Sequence, residues 1–210
     1  MADSPRWRRR KEARPDEILE AALAEFAARG FAAARLHDIA AAAGITKGTL
    51  YLYFPSKEEL FKAVVRGTIL PRVAALEAVV EAAEAPAAVL LASLIQRWSE
   101  LLQIPQICAI PKLVLSESGN FPDLARFYYD EVITRGLGLV RGLLRRGVAA
   151  GEFRPIDVDY AAFSVIGPLL LSMLWRHSLE PNGAAPLDGA ALARSHADLL
   201  LRALSMEGRP

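Results

Sequence analysis

Basic and hydroxyl side chains follow one another closely between residues 35 and 57, a pattern that can bind DNA. Lysine and arginine neutralise phosphates and supply much of the affinity, whereas contacts to base edges supply specificity. Lys47 can reach a guanine edge or a phosphate, and Thr49 can donate to a base or bring its methyl group to thymine. The candidate DNA-binding residues are Arg35, His37, Thr46, Lys47, Gly48, Thr49, Tyr51, Tyr53 and Lys57.

Two short helices and the turn between them must position these residues. A helix predicted over residues 36–43 carries an inward-facing apolar stripe, and Gly44 ends it. Thr46 can cap the next helix, which reaches Tyr53. Two short helices joined by a tight turn that contains glycine form a helix-turn-helix motif.

Signals on both sides predict the flanking helices. Pro15 suits the first turn of a preceding helix, and Gly30 predicts a left-handed cap at its end. After the motif, Ser56 and Glu59 have the spacing of a capping box. Pro71 predicts a kink in the helix that follows.

Helical spacing of apolar residues recurs along most of the chain, whereas strand signals are almost absent. The chain has 210 residues, of which 53% are hydrophobic, so a substantial core can be buried. We expect an all-α fold of about nine helices. The predicted domains are a basic N-terminal arm over residues 1–14, a helix-turn-helix domain over 15–56, and a larger helical domain over 57–210.

The positive charge is concentrated near the N-terminus. Residues 1–57 carry 10 lysines and arginines against 7 acidic residues, whereas the remainder carries 15 against 17. The basic residues of the arm are Arg6, Arg8, Arg9, Arg10, Lys11 and Arg14. Such an arm can bind a polyanion, although a solvated tail would have the same composition.

Little in the sequence points to catalysis, to a metal or to a membrane. Cys108 is the single cysteine, the three histidines are far apart, and no catalytic or phosphate-binding motif is present. The longest apolar run, Val165–Trp175, is shorter than the ~20 residues that span a bilayer. We therefore expect a cytoplasmic protein that is not an enzyme, with no cofactor, no metal and no membrane partner.

The segment over residues 18–60 resembles the DNA-binding domain of the TetR family of bacterial transcriptional regulators. The similarity extends over three helices in the expected order, and the remaining length agrees with the family's effector-binding and dimerising domain. The matching positions are Ala22, Phe26, Gly30, Phe31, Ile39, Ala40, Ala43, Gly44, Gly48, Leu50, Tyr51, Tyr53, Phe54, Lys57 and Leu60.

The resemblance implies a dimeric regulator that binds an inverted-repeat DNA operator and responds to a small molecule. It favours DNA contact by Lys47, Tyr51 and Lys57, whereas Tyr53 has packing in the small core as an alternative. His37 has a solvated surface position as its alternative. The chain departs from the family at Arg35, where a serine or threonine often caps the second helix, so we expect the phosphate contact there to come from arginine.

The C-terminal helices are expected to form the dimer. The helix predicted over residues 157–177 is apolar almost all round, so it must be covered on both sides, either by a second copy or within a larger monomeric bundle. With the last helix it would form a four-helix interface. The predicted interface residues are Leu170, Leu174, Leu192, Leu199, Leu200 and Leu204.

An effector pocket is the least defined expectation. Its apolar candidates suggest a hydrophobic or aromatic effector, although each is also an ordinary core residue. They are Trp98, Cys108, Phe127, Val132 and Phe163. We expect a repressor that this effector releases from DNA. A transcriptional activator would have the same sequence features, and an architectural DNA-binding protein without an effector is the third possibility.

Overall fold

The computed structural model describes the backbone of residues 6–206 and the side chains of residues 15–206. The side chains of the predicted basic arm therefore lie outside the described residues. The helices are α1 (Arg6–Ala33), α2 (Leu36–Ala42), α3 (Lys47–Tyr53), α4 (Lys57–Thr68), α5 (Leu70–Ala82), α6 (Ala87–Leu102), α7 (Pro105–Glu117), α8 (Pro122–Tyr128), α9 (Thr134–Ala149), α10 (Val158–Leu174) and α11 (Gly189–Leu204).

The all-α prediction is confirmed, since residues 6–206 contain helices and a single isolated bridge between Phe153 and Ser205. The helix predicted after the helix-turn-helix motif is divided in two. Ile69 separates α4 from α5, close to Pro71, whose ring nitrogen cannot donate to the preceding turn. A π-helical turn over Tyr129–Ile133 separates α8 from α9. In addition, α1 begins at Arg6 and passes through Pro15, where the sequence predicts its start.

The helices form two compact units that do not follow chain order. The first unit contains the chain up to Pro71 together with Ala109–Tyr128, so α8 and most of α7 belong with α1 to α4. The second contains Arg72–Cys108 and the chain from Tyr129 onwards. The functional boundary predicted at residue 57 remains a prediction.

An aromatic cluster forms the centre of the first unit. The ring centroids of Phe26, Phe31 and Phe61 lie 5.5 to 5.7 Å from one another, and Phe121 lies 4.7 Å from Phe31. Gly30 has a φ of +77°, which lets the chain turn so that the next residue enters the core, as predicted. Aromatic pairs of this kind contribute more to the stability of the fold than their buried apolar area alone accounts for.

Four helices, α6, α9, α10 and α11, enclose the core of the second unit. Aspartates cap two of them: Asp157 accepts from the first-turn amides of α10, and Asp188 accepts from Ala190 and Ala191 at the start of α11. The Ala191 amide is the main reason that the pKa of Asp188 is below its usual range. These caps fix where the two helices begin.

Candidate DNA-binding site

The turn between α2 and α3 has the geometry that the sequence predicts. Gly44 has a φ of +66°, and the Ile45 amide donates to the Ala40 carbonyl at 2.9 Å. Ile39 and Ala40 are buried, so α2 is attached to the first unit by its apolar side. This arrangement is a helix-turn-helix motif whose second helix is α3.

Two contacts fix the orientation of α3. Leu50 is fully buried, and the Thr46 hydroxyl accepts from the Thr49 amide at 3.1 Å. The two threonine hydroxyls also lie 2.9 Å apart. Thr46 and Thr49 therefore satisfy one another at the start of the helix, and any contact they make with DNA is additional to this capping role.

The side of α3 opposite Leu50 is open to solvent. At 100° per residue, Gly48 and Leu52 lie near the middle of that side and Tyr51 lies at its edge, with Lys47 one turn before Tyr51 on the exposed flank of the helix. Tyr51 is 44% exposed and Leu52 is 85% exposed. The Lys47 ammonium lies 5.7 Å from the centroid of the Tyr51 ring, so the cation and the phenol form one exposed group. We call these four residues the outward face of α3.

Lys57 has a structural role that the sequence does not reveal. Its ammonium donates to the carbonyl oxygens of Phe31, Ala32 and Ala34, at 2.7, 3.0 and 3.2 Å. It also lies 4.7 Å from the centroid of the Phe31 ring. A cation at a helix C-terminus satisfies carbonyl groups and interacts favourably with the helix dipole. Lys57 thus joins the start of α4 to the end of α1, and its predicted contact with phosphate remains a prediction.

The other predicted contacts lie at the edges of the motif. Arg35 is exposed at the N-terminal end of α2. It makes no side-chain cap, because a guanidinium group has no acceptor for the amides of the first turn. His37 is also exposed, with its Nδ1 atom 3.3 Å from an Asp38 oxygen. Tyr53 is half-buried, with its ring centroid 6.4 Å from that of Phe54. Arg35 and His37 are therefore accessible to a ligand, whereas the Tyr53 side chain is partly packed in the unit and partly exposed to solvent.

Replacing Lys57 with methionine is expected to destabilise the protein by about 2 kcal/mol, because three carbonyl groups lose a charged donor. The matched control is Lys62→Met on the same helix. Lys62 pairs with the half-exposed Glu59 at 2.8 Å, and such pairs contribute less than ~1 kcal/mol. Urea unfolding followed by circular dichroism measures both. Equal stability of the two variants would contradict the structural role.

The predicted effector residues are divided between the two units. Trp98, Cys108, Val132 and Phe163 belong to the second unit, and Phe127 belongs to the first, where its ring lies 5.0 Å from the Arg66 guanidinium. Cys108 and Val132 are buried, whereas Phe163 is 58% exposed. The five residues therefore do not line one pocket within a single unit.

A glycine in α9 determines how Trp98 packs. A Cβ atom at Gly136 would lie 2.9 Å from the Trp98 ring, so the ring packs directly on the α9 backbone. Gly138 and Gly142 have no neighbouring group within 4 Å. Gly136 therefore allows close packing of Trp98 against α9.

The second unit contains a cavity of about 290 Å³ at a different place. It lies between α9, α10, α11 and the segment that follows α9. Its lining is mainly apolar and also includes an arginine, an aspartate and a serine. The lining residues are Leu144, Arg154, Ile156, Asp157, Ala161, Ser164, Val165, Leu200, Ala203 and Leu204.

The predicted dimer residues have different environments. Leu204 is 5% exposed and belongs to the core of its own unit, whereas Leu199 is 64% exposed. The other four are half-buried: Leu170, Leu174, Leu192 and Leu200. The most exposed apolar side chains of α10 are Tyr160, Phe163 and Leu171, at 75, 58 and 60%. None of these three is among the predicted interface residues, and Phe163 is instead a predicted effector contact. The sequence does predict that a helix apolar all round has a face for a partner.

Within residues 15–206, no group of three or more histidine, cysteine, aspartate or glutamate side chains is arranged to hold a metal ion. In the part of the chain that the structure describes, one segment, Val158–Asn182, is long and apolar enough to cross a bilayer, and 28% of its apolar window is buried. Length and composition alone also select core and interface helices of proteins that do not cross membranes.

The helix-turn-helix and the outward face of α3 define a DNA-binding regulator. Residues 18–64 match the family model described as "Bacterial regulatory proteins, tetR family". Residues 89–203, more than half of the chain, match the model described as "AefR-like transcriptional repressor, C-terminal domain". The chain belongs to the TetR family of bacterial transcriptional regulators, as its sequence predicts.

Individual relatives support this assignment. The HTH-type transcriptional repressor KstR2 of Mycolicibacterium smegmatis is 29% identical over 192 residues, 90% of this chain and 89% of that protein. The solved structure of ketosteroid transcriptional regulator KstR2 of Mycobacterium tuberculosis is 27% identical, with a TM-score of 0.70 and coverage of 92 and 96% of the two chains. Bacillus subtilis FadR in complex with stearoyl-CoA has the same fold, at 24% identity, 92 and 98% coverage and a TM-score of 0.76. These relatives are transcriptional regulators, not enzymes.

Proposed function

We propose that this protein is a dimeric repressor that leaves a palindromic operator when a small hydrophobic effector binds. The observation that carries the proposal is the outward face of α3, where Lys47 and Tyr51 are exposed on a helix anchored by Leu50. A helix held in this way can enter the major groove while cations contact the backbone. The family assignment and the repressor relatives support this direction of control.

Dimerisation is supported by the exposed side of α10. Tyr160, Phe163, Gly167 and Leu171 recur at helical spacing along one stripe, and Leu199 is exposed on the neighbouring helix α11. A glycine between large apolar residues lets a second helix approach closely. A second copy of this chain would cover the stripe and give a symmetric interface. Each dimer would then present two α3 helices to half-sites about 34–36 Å apart, or a multiple of that distance.

Leu171→Glu is expected to raise the dimer dissociation constant at least 100-fold, because a charge would enter an apolar contact without a partner. Val89→Glu is the control, since Val89 is similarly exposed, at 57%, but belongs to α6. Light scattering over a range of protein concentrations measures both. Unchanged dimers in the Leu171 variant would exclude this face as the interface.

An effector site in the second unit is supported by its apolar composition and by its cavity of about 290 Å³. None of the predicted contacts lines this cavity, so Trp98, Cys108 and Val132 remain candidates for a site elsewhere in the second unit, where ligand entry beside Trp98 would require its ring to leave Gly136. The FadR relative was solved with stearoyl-CoA, whose acyl chain is hydrophobic, in agreement with an apolar effector. The proposed effector is therefore a small molecule with a substantial hydrocarbon part.

Release from DNA requires that the effector bind the DNA-free form more tightly. A hundredfold loss of operator affinity corresponds to ~2.7 kcal/mol of coupling between the two sites, within the usual range. The same coupling lowers effector affinity in the presence of DNA, because linkage is reciprocal. Both directions are measurable.

The test is a titration of the operator complex, followed by fluorescence polarisation, with stearoyl-CoA, a free fatty acid and coenzyme A alone. We expect a compound with a hydrocarbon chain to lower operator affinity 5- to 150-fold, and coenzyme A alone to have no effect. Operator binding that no hydrophobic compound alters would favour the architectural DNA-binding alternative. A run-off transcription assay separates repression from activation, and stimulation by the bound protein would overturn the repressor assignment.

A further inference from the structure

Leu52 is the most exposed large apolar side chain in the described part of the chain, at 85%. It lies on α3, about 160° around the helix from the buried Leu50. A leucine whose side chain is directed outward contributes little to the folding of its own unit. Its position on the solvent side of α3, one turn after Gly48, places it instead where a DNA ligand would be contacted.

Gly48 leaves the space next to Leu52 open. These residues are one helical turn apart, so their side chains would be neighbours on the same face. A Cβ atom at Gly48 would have a single neighbouring group, the Thr46 hydroxyl at 3.7 Å. No side chain at 48 therefore separates Leu52 from a duplex lying against the outward face of α3.

We propose that Leu52 is a specificity-determining residue that contacts the 5-methyl group of a thymine in each operator half-site. This assignment rests on the proposed DNA-binding function. The major-groove edge of thymine carries a 5-methyl group, whereas cytosine has only a hydrogen there beside its N4 donor, and adenine and guanine present their N7 acceptor. Leucine has no hydrogen-bond donor or acceptor. Against one of those polar groups it would displace water and offer no hydrogen bond in its place, which lowers affinity for the other bases.

Deoxyuridine provides a direct probe, because it differs from thymidine by the methyl group alone. The operator is first obtained by selection with the wild-type protein, and each thymine is then replaced singly. Burial of one methyl group predicts that one thymine per half-site loses about fourfold in affinity on replacement. The same replacement should leave the affinity of Leu52→Ala unchanged, which gives a double-mutant cycle between one side chain and one methyl group.

A second variant tests the assignment by a gain of preference. Leu52→Gln should favour adenine at the position identified by the deoxyuridine scan, since glutamine can bond to adenine in two places. Because Leu52 is so exposed, both variants should retain the wild-type unfolding midpoint, and this is measured beforehand.

The two proposals fail in different ways. If wild-type protein binds its operator but deoxyuridine has the same effect on wild type and Leu52→Ala at every position, the thymine contact is wrong and DNA binding stands. If wild-type protein selects no DNA sequence, the proposed function fails and takes this contact with it. A fourfold loss that is confined to wild type and to one thymine per half-site supports both.

Discussion

Gly147→Ala should destabilise the protein by about 3 kcal/mol, the largest stability effect expected of a single added methyl group. A Cβ atom at this position in α9 would lie 2.1 Å from the Phe153 ring. The ring cannot move easily, since Phe153 is buried and its amide donates to the Gly147 carbonyl at 3.1 Å. Overpacking of a rigid core typically costs 1–3 kcal/mol, and the closeness of this contact places the estimate at the upper end.

Gly142→Ala is the matched control, because it adds the same methyl group to the same helix. Gly142 is exposed and has no neighbouring group within 4 Å, so alanine should stabilise α9 by up to about 1 kcal/mol. Urea unfolding at one fixed protein concentration gives dimer dissociation the same weight in both variants, so the difference between them reports the substitution. Equal stability of the two variants would show that Phe153 does not pack on Gly147.

Lys47→Ala should weaken operator binding by ~1–3 kcal/mol for each half-site, and the dimer loses two such contacts. Lys47 is exposed on the outward face of α3, so its replacement should leave folding unchanged. Tyr51→Phe removes a single hydroxyl from the same face and should have a smaller effect in the same direction. A mobility-shift titration measures the affinity of both variants.

The control for charge is Lys62→Ala, which removes one positive charge elsewhere in the first unit. If Lys47 contacts guanine, the loss is greater for the operator than for unrelated DNA. If Lys47 contacts phosphate, affinity for the operator and for unrelated DNA falls by the same factor. The slope of log affinity against log salt concentration then decreases by about one for each lost contact. Operator affinity for Lys47→Ala equal to that of Lys62→Ala would remove Lys47 from the site.

Features determined by neighbouring residues were predictable from the sequence. Gly30 and Gly44 adopt the positive φ values that their positions demand, and Thr46 and Ser56 accept the amide bonds expected of N-caps. The signal in each case is a residue type within a few positions of its partner. For that reason the sequence alone locates the helix-turn-helix.

Features determined by distant residues were not predictable. Lys57 finds its carbonyl partners 23 to 26 residues earlier in the chain, and no spacing rule relates them. The orientation of α10 was also hidden, because a helix that is apolar on every side has no stripe to distinguish the core from a partner. The sequence pattern therefore places Leu204 in the interface, although it is buried in its own unit. Leu52 is missing from the predicted site because no sequence pattern distinguishes one exposed leucine from a buried one.

The most direct test of the central claim is selection of binding sites from random duplex DNA by the wild-type protein. A dimer that presents two α3 helices should enrich an inverted repeat whose half-sites are centred about 10 base pairs apart or a multiple of that spacing. The Lys47→Ala protein should lose this enrichment under the same conditions. Retention of DNA without a common sequence, by wild type and variant alike, would contradict sequence-specific recognition by the outward face of α3.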